Sequence, residues 1–207
     1  MSPEPISTHD KLRREAAALF AQRGYGGTSM SEIAERVGVR KASLYNYYAS
    51  KADLLLELLE KGIEAWEEAC RPALESPGTT EARLAAYLRE VVDFAERNPQ
   101  TVGIVRLAAT QVGGNLGRRV KVFLADHERL SRDYLTSFFA KAVEDGEVKT
   151  VDPEELSLFW STFIDGILIN QLFATDKAKD AVAHLPRLWE FFWRGVSGHR
   201  PQTELGE

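Results

Sequence analysis

Cys70 is the only cysteine in the chain. An intrachain disulfide is therefore excluded, and the role that fits a lone thiol best is that of a small buried hydrophobe. Long apolar runs are missing too. The most apolar segment, Phe163 to Ile169, is short and holds Asp165 and Gly166, far from the roughly 18 apolar residues that cross a bilayer. The opening residues, MSPEPISTHD, have no apolar core of the kind a secretory signal needs. A cytoplasmic protein with no membrane partner is expected. Only four histidines occur, scattered without metal-ligand spacing, so no metal or other cofactor is expected. A Gly-rich phosphate loop, a His-Glu-x-x-His pair and a Gly-x-Ser-x-Gly elbow are all lacking. Gly24-x-Gly26-Gly27 follows a helical pattern rather than a strand and fails the dinucleotide-binding context. Catalysis is not expected. No segment shows sustained strand alternation, so the fold class expected is all-α.

Charge is unevenly spread. The net charge of the chain is −5, which by itself speaks against nucleic acid. Residues 1–51, however, carry +3, and the remainder carries −8. A basic head on an acidic body fits a protein whose head alone meets phosphate.

Helical periodicity runs nearly throughout. Leu12, Ala16, Leu19 and Phe20 follow the 3–4 spacing, and Gly24 ends the first helix. Ser29 and Glu32 form a capping-box pattern. Met30, Ile33, Ala34 and Val37 make one apolar stripe, which Gly38 closes. A second short helix is predicted over 41–48, with Leu44 and Tyr48 inward. A long helix is predicted from Lys51, capped by Ser50 and stopped at Pro72. Further helices are predicted over 80–97, 99–112, 117–145, 153–175 and 178–197, with frayed ends at 1–7 and 198–207. The expected domains are a head, 1–51, and a helical body, 52–207, whose first helix is the connector.

Two short helices joined by a glycine-containing turn make a helix-turn-helix. The first helix props the second, and the second presents its outer face to DNA base edges. That face carries Arg40, Lys41, Ser43, Tyr45, Asn46 and Tyr47. Hydroxyl and amide groups among cations suit phosphates and base edges.

The run from Thr28 to Leu55, through Ile33-Ala34, Gly38-Val39, Lys41, Leu44-Tyr45, Tyr47-Tyr48, Lys51 and Leu54-Leu55, resembles the DNA-binding signature of the TetR family of transcriptional regulators. The resemblance extends over about residues 8–65. It implies an N-terminal three-helix DNA-binding domain and a C-terminal helical domain for effector binding and dimerisation. It also implies roles for residues. Tyr47 and Lys51 would contact phosphate. Thr28 and Ser43 would add backbone contacts through their hydroxyls. Lys41, Ala42 and Tyr45 would approach base edges. Lys51 has a reason of its own, since it opens a helix whose amides attract phosphate. Two positions depart from the pattern. Arg40 stands where Ser or Thr is typical, which removes a side-chain cap and places a cation before the recognition helix. Tyr48 stands where Phe is commoner, and its hydroxyl needs a partner.

The body has no motif as sharp. Helix 153–175 is apolar nearly all round and must be covered on several sides. Phe159, Trp160 and Phe163 on it, with Leu188, Trp189, Phe192 and Trp193 on the last helix, are candidates for a two-fold dimer interface. Polar groups on apolar stripes are candidates for effector contact: Arg106, His127, Tyr134, Asp165 and Asn170. Each has a plainer reading. Arg106 suits an internal ion pair as well as an anionic head, His127 suits a satisfied core histidine, and Asp165 suits a cap or a bridge across a dimer. The expected protein is a homodimer that binds a palindromic double-stranded operator and is released by a hydrophobic or amphipathic small molecule. The alternative is a DNA-binding activator or architectural protein without an effector.

Overall fold

The structure, a computed structural model, describes residues 7–149, 151–173 and 183–199. Among the described residues the regular structure is helical: α1 Thr8–Arg23, α2 Met30–Val37, α3 Lys41–Tyr45, α4 Lys51–Glu75, α5 Thr80–Arg97, α6 Pro99–Gln111, α7 Gly114–Glu144, α8 Pro153–Phe173 and α9 Leu185–Ser197. The expectations for 1–6, 174–182 and 200–207 lie outside the described residues.

Local chemistry explains most boundaries. Ser7 caps α1, its hydroxyl accepting from the Asp10 amide. Ser29 accepts from the Glu32 amide while Glu32 accepts from the Ser29 amide, a complete capping box. Ser29→Ala should therefore cost about 0.5–2 kcal/mol of stability. Urea denaturation of the variant checks this, and an unchanged midpoint would contradict it. Gly38 ends α2 at φ 77° and ψ 28°, a left-handed conformation that a Cβ penalises.

Three boundaries differ from the sequence expectation. α3 stops at Tyr45, so Tyr47 and Tyr48 lie beyond the helix. Pro72 does not stop α4, which continues to Glu75. Pro72 and Glu68 are both exposed, so the carbonyl orphaned by the missing N–H lies at the surface, where water can serve it. α7 begins at Gly114 rather than 117. Gly117 is buried, and a Cβ there would meet the Val112 carbonyl oxygen at 2.6 Å. The turn from α6 into α7 closes that tightly only because Gly117 has no side chain.

The chain divides into two compact units. The first comprises the described residues up to Ala65 together with Asn98–Phe123. Its core gathers Leu12, Ala16 and Phe20 of α1, Ile33 and Ala34 of α2, Leu44 of α3 and Leu54 and Leu55 of α4. Ile104 and Leu107 of α6 complete it, so the helix-turn-helix rests on a segment some fifty residues further along the chain.

The second unit comprises Trp66–Arg97 and the described residues from Leu124 onward. Leu84, Leu88 and Val91 of α5, Phe139 of α7, Trp160 and Ile164 of α8 and Trp189 and Phe192 of α9 form its core. Cys70 is fully buried there, in keeping with a packing role. Burial pushes its thiol up to about 12 and the Tyr87 phenol up to about 12. Each group is neutral when protonated, so the folded state holds the proton longer than the unfolded state. Their contribution is present below the ordinary values of 9.0 and 10.0 and is lost as pH rises through about 12. Each group removes about 1.4 kcal/mol per pH unit over that window. Cys70→Ala should therefore delay the onset of alkaline destabilisation by about one pH unit, to where Tyr87 begins to titrate. Urea denaturation at stepped pH reads the onset, and an unmoved onset would contradict the assignment.

Candidate nucleic-acid interface

The exposed side of α3 and the turn after it carry the residues expected to meet DNA. Arg40, Lys41, Ala42, Tyr45, Asn46 and Tyr47 are exposed, and Ser43 is half-buried. Leu44 and Tyr48 point the other way and are buried. Arg40 occupies the N-cap of α3 and makes no side-chain capping bond, so its guanidinium is not committed to that helix. Lys41 Nζ lies 6.0 Å from the Tyr45 ring. Tyr45 and Tyr47 are nearly half exposed, a costly placement for aromatic rings that meet only water.

A histidine sets the tyrosines. His9 of α1 stacks on Tyr47 with ring centroids 5.5 Å apart and planes at 15°, and it also stacks on Tyr48 at 5.4 Å. His9 Nε2 lies 2.8 Å from the Tyr48 hydroxyl and 3.2 Å from Glu57 Oε1. Arg13 donates to the same Glu57 oxygen at 3.2 Å and also pairs with Asp10. This is the partner that the Tyr48 hydroxyl required. Burial, and then the charge of Glu57, pushes that phenol well up, so it stays protonated. His9 escaped the sequence reading because it shares no stripe with the tyrosines; the unpaired hydroxyl of Tyr48 was the one signal that could have pointed to it.

Two expected contacts are drawn inward instead. Lys51 Nζ donates to the carbonyls of Tyr25 and Thr28, each at 2.7 Å, and sits 4.2 Å from the centre of the Tyr25 ring. Burial lowers the pKa of its ammonium. Thr28 is 2 % exposed, and its hydroxyl donates to the Gly24 carbonyl at 3.0 Å. Both residues hold the loop that leads into α2, which is a positioning role. At the start of α4, Ser50 accepts from the Asp53 amide, and Arg119 of α7 donates to Asp53 at 2.9 Å. These partners, Ser50 first and Arg119 next, hold the Asp53 carboxyl below its usual range.

The effector candidates fall in both units of the chain. Arg106 is exposed on α6 and belongs to the first unit; His127, Tyr134, Asp165 and Asn170 belong to the second. His127 Nε2 lies 3.5 Å from Glu67. The Tyr134 ring is covered by the Arg71 guanidinium at 5.3 Å. Asn170 is exposed and donates to the Gly166 carbonyl of its own helix. On α8, desolvation, with the charge of Glu128 second, raises the Asp165 carboxyl.

The interface candidates need a correction. Trp160, Trp189, Phe192 and Trp193 are buried within the second unit of a single chain, so their burial needs no partner. Phe163 and Leu188 are half-buried, and Phe159 is 49% exposed. The large apolar side chains left open on α8 and α9 are instead Leu158, Phe159, Ile169 and Phe191. No helix among the described residues is long and apolar enough to cross a membrane, and none of their side chains cluster as a metal site would.

A capped helix, a left-handed glycine turn and a short second helix with an open polar and aromatic face define a helix-turn-helix DNA-binding module. Residues 12–58 match the model of the bacterial regulatory proteins of the tetR family. The chain is 35% identical over 85 residues to the HTH-type transcriptional activator FasR of Mycolicibacterium smegmatis, covering 41% of this chain and 39% of that protein. It thus spans less than half the length of the first curated relatives it matches. The fatty acid degradation regulator FadR from Bacillus halodurans has a similar fold, with a TM-score of 0.74 at 18% identity over 90% of this chain and 98% of that one. So does AibR, in its complex with isovaleryl coenzyme A and operator DNA, with a TM-score of 0.65 at 22% identity over 86% and 97%.

Proposed function

We propose that the protein is a dimeric, sequence-specific transcriptional regulator, a repressor released from its operator by a hydrophobic or amphipathic small molecule. The observation that carries the DNA-binding half is the open face of α3, where Arg40, Lys41, Tyr45, Asn46 and Tyr47 stand exposed on a helix-turn-helix whose first helix carries a complete capping box. Lys41, Ala42 and Tyr45 face base edges. Tyr47, held against His9, meets phosphate, with Ser43 beside it and Arg40 at the helix start.

Dimerisation is supported by the open apolar side chains of the second unit. Leu158, Phe159 and Ile169 fall on one side of α8, with Phe191 on α9. An exposed apolar patch of this kind marks an interaction surface, and a self-complementary patch gives a two-fold pair. Two heads then read two half-sites about 34–36 Å apart or at a multiple of that spacing.

The small-molecule half draws on AibR, which was crystallised with both isovaleryl coenzyme A and operator DNA. α4 and α7 are each continuous across the residues that separate the two units. In this reading the small molecule binds the second unit. It induces only if it binds the DNA-free conformation more tightly than the DNA-bound one. The name of FasR favours a second reading, activation.

The experiment is selection and sequencing of DNA fragments bound by the purified chain, with sedimentation of the complex. A palindrome and two chains per site are expected. Ile169→Glu should leave a monomer that has lost tight binding. A wild-type monomer that binds one site specifically would overturn the dimer, and a reporter that rises when the protein is present would decide for activation.

A further inference from the structure

Trp160 is 1 % exposed. Its indole Nε1 is the one buried side-chain polar atom among the described residues with no hydrogen-bond partner. Burying such a donor without an acceptor costs about 1–3 kcal/mol, and native chains leave few such groups.

The surroundings define what could use the donor. Trp160 is walled by three aromatic rings: Tyr87 at 5.9 Å, Phe163 at 5.9 Å and Phe192 at 5.0 Å between centroids. Tyr87 and Phe163 keep partial exposure beside the fully buried indole. The nearby cations of this unit face other groups. Arg71 pairs with Glu67 and covers the Tyr134 ring. Arg83 donates to the Leu74 carbonyl and covers the Phe138 ring. A buried carboxylate or phosphate without a cation is costly, whereas a neutral carbonyl needs only the one N–H.

Resting on the reading of the second unit as the effector-binding part, we propose that the effector is a neutral, largely apolar molecule whose carbonyl-type oxygen accepts the indole N–H of Trp160 between Tyr87, Phe163 and Phe192.

The test uses the full chain and two matched pairs of probes: acetophenone with ethylbenzene, and benzophenone with diphenylmethane. Affinities come from calorimetry. The indole N–H signals of the four tryptophans are followed by NMR, that of Trp160 being assigned by its loss in Trp160→Phe. At least one ketone should bind about tenfold more tightly than its hydrocarbon, the value of one neutral hydrogen bond, and should move the Trp160 signal downfield. Benzothienylalanine at position 160 keeps the shape and replaces N–H with sulfur, so it guards against a Trp160→Phe variant that fails to fold. It should bring the ratio to about one. Equal affinity within both pairs, a ratio that survives benzothienylalanine, or a Trp160 signal unmoved by every ketone would overturn the proposal, the last leaving the donor to a structural water. Operator release is scored separately. Ketone binding through Trp160 without release would refute only the effector-released repressor. Release by an anionic compound, with no ketone preference, would refute only the Trp160 site.

Discussion

Phe20→Ala should destabilise the protein by about 3–5 kcal/mol and abolish specific DNA binding at physiological temperature. Phe20 has no exposed surface and lies in the core of the first unit with Leu12, Ile33 and Leu44. Its ring also packs on Tyr25, centroids 5.7 Å apart, and Tyr25 supplies one of the carbonyls that hold Lys51. Truncation therefore opens a cavity and loosens the loop that leads into α2. The loss approaches the whole margin of a small domain, so the recognition helix loses its support before any DNA contact is touched. The control is Val122→Ala, at a side chain 63% exposed, which should change the folding free energy by no more than about 0.5 kcal/mol. Urea denaturation of both variants, with operator binding measured below each midpoint, makes the comparison. Equal destabilisation of the two would refute the division of the chain's apolar side chains into core and surface.

Lys51→Met should lower both stability and DNA affinity while leaving the salt dependence of binding unchanged. The ammonium makes two charge-assisted bonds, to carbonyls 26 and 23 residues earlier in the chain. Losing them strands two partly buried acceptors, at a cost of about 1.5–3 kcal/mol, and frees the loop before α2. Binding to operator and to random DNA falls together, because what is lost is the placement of the whole module. A lysine seated on phosphate behaves differently. Its removal lowers the salt slope by about one ion per contact and leaves folding nearly untouched. A salt titration with thermal denaturation separates the two. A reduced slope with an unchanged Tm would put the ammonium on DNA.

These two residues mark how far the chain could be read without coordinates. Phe20 was legible as core because it repeats with Leu12, Ala16 and Leu19 on one helical face. Lys51 was legible only as a cation at a helix start, a position that attracts phosphate by local rules. Its carbonyl partners come from a loop brought up by the packing of α1 on α2, which no spacing encodes. The aromatic residues of α8 divide the same way. Their number required cover on several sides, but Trp160 faces inward and Phe159 outward, and an all-round apolar helix carries no stripe to tell one from the other.

The sequence by itself determined the all-helical class, the turn at Gly38, the capping box at Ser29 and Glu32, and the open polar face of α3. Each depends on residues within about one or two helical turns of one another, where spacing and side-chain chemistry act directly. Only the tertiary structure decided that α6 belongs with the DNA-reading head, that His9 holds Tyr47 and Tyr48, that Lys51 turns inward, and that Trp160 keeps an unpaired donor in the core. The reason is that an apolar face states only that it must be covered. Which distant segment covers it, and which polar atoms that covering leaves without a partner, follows from how all the faces pack at once.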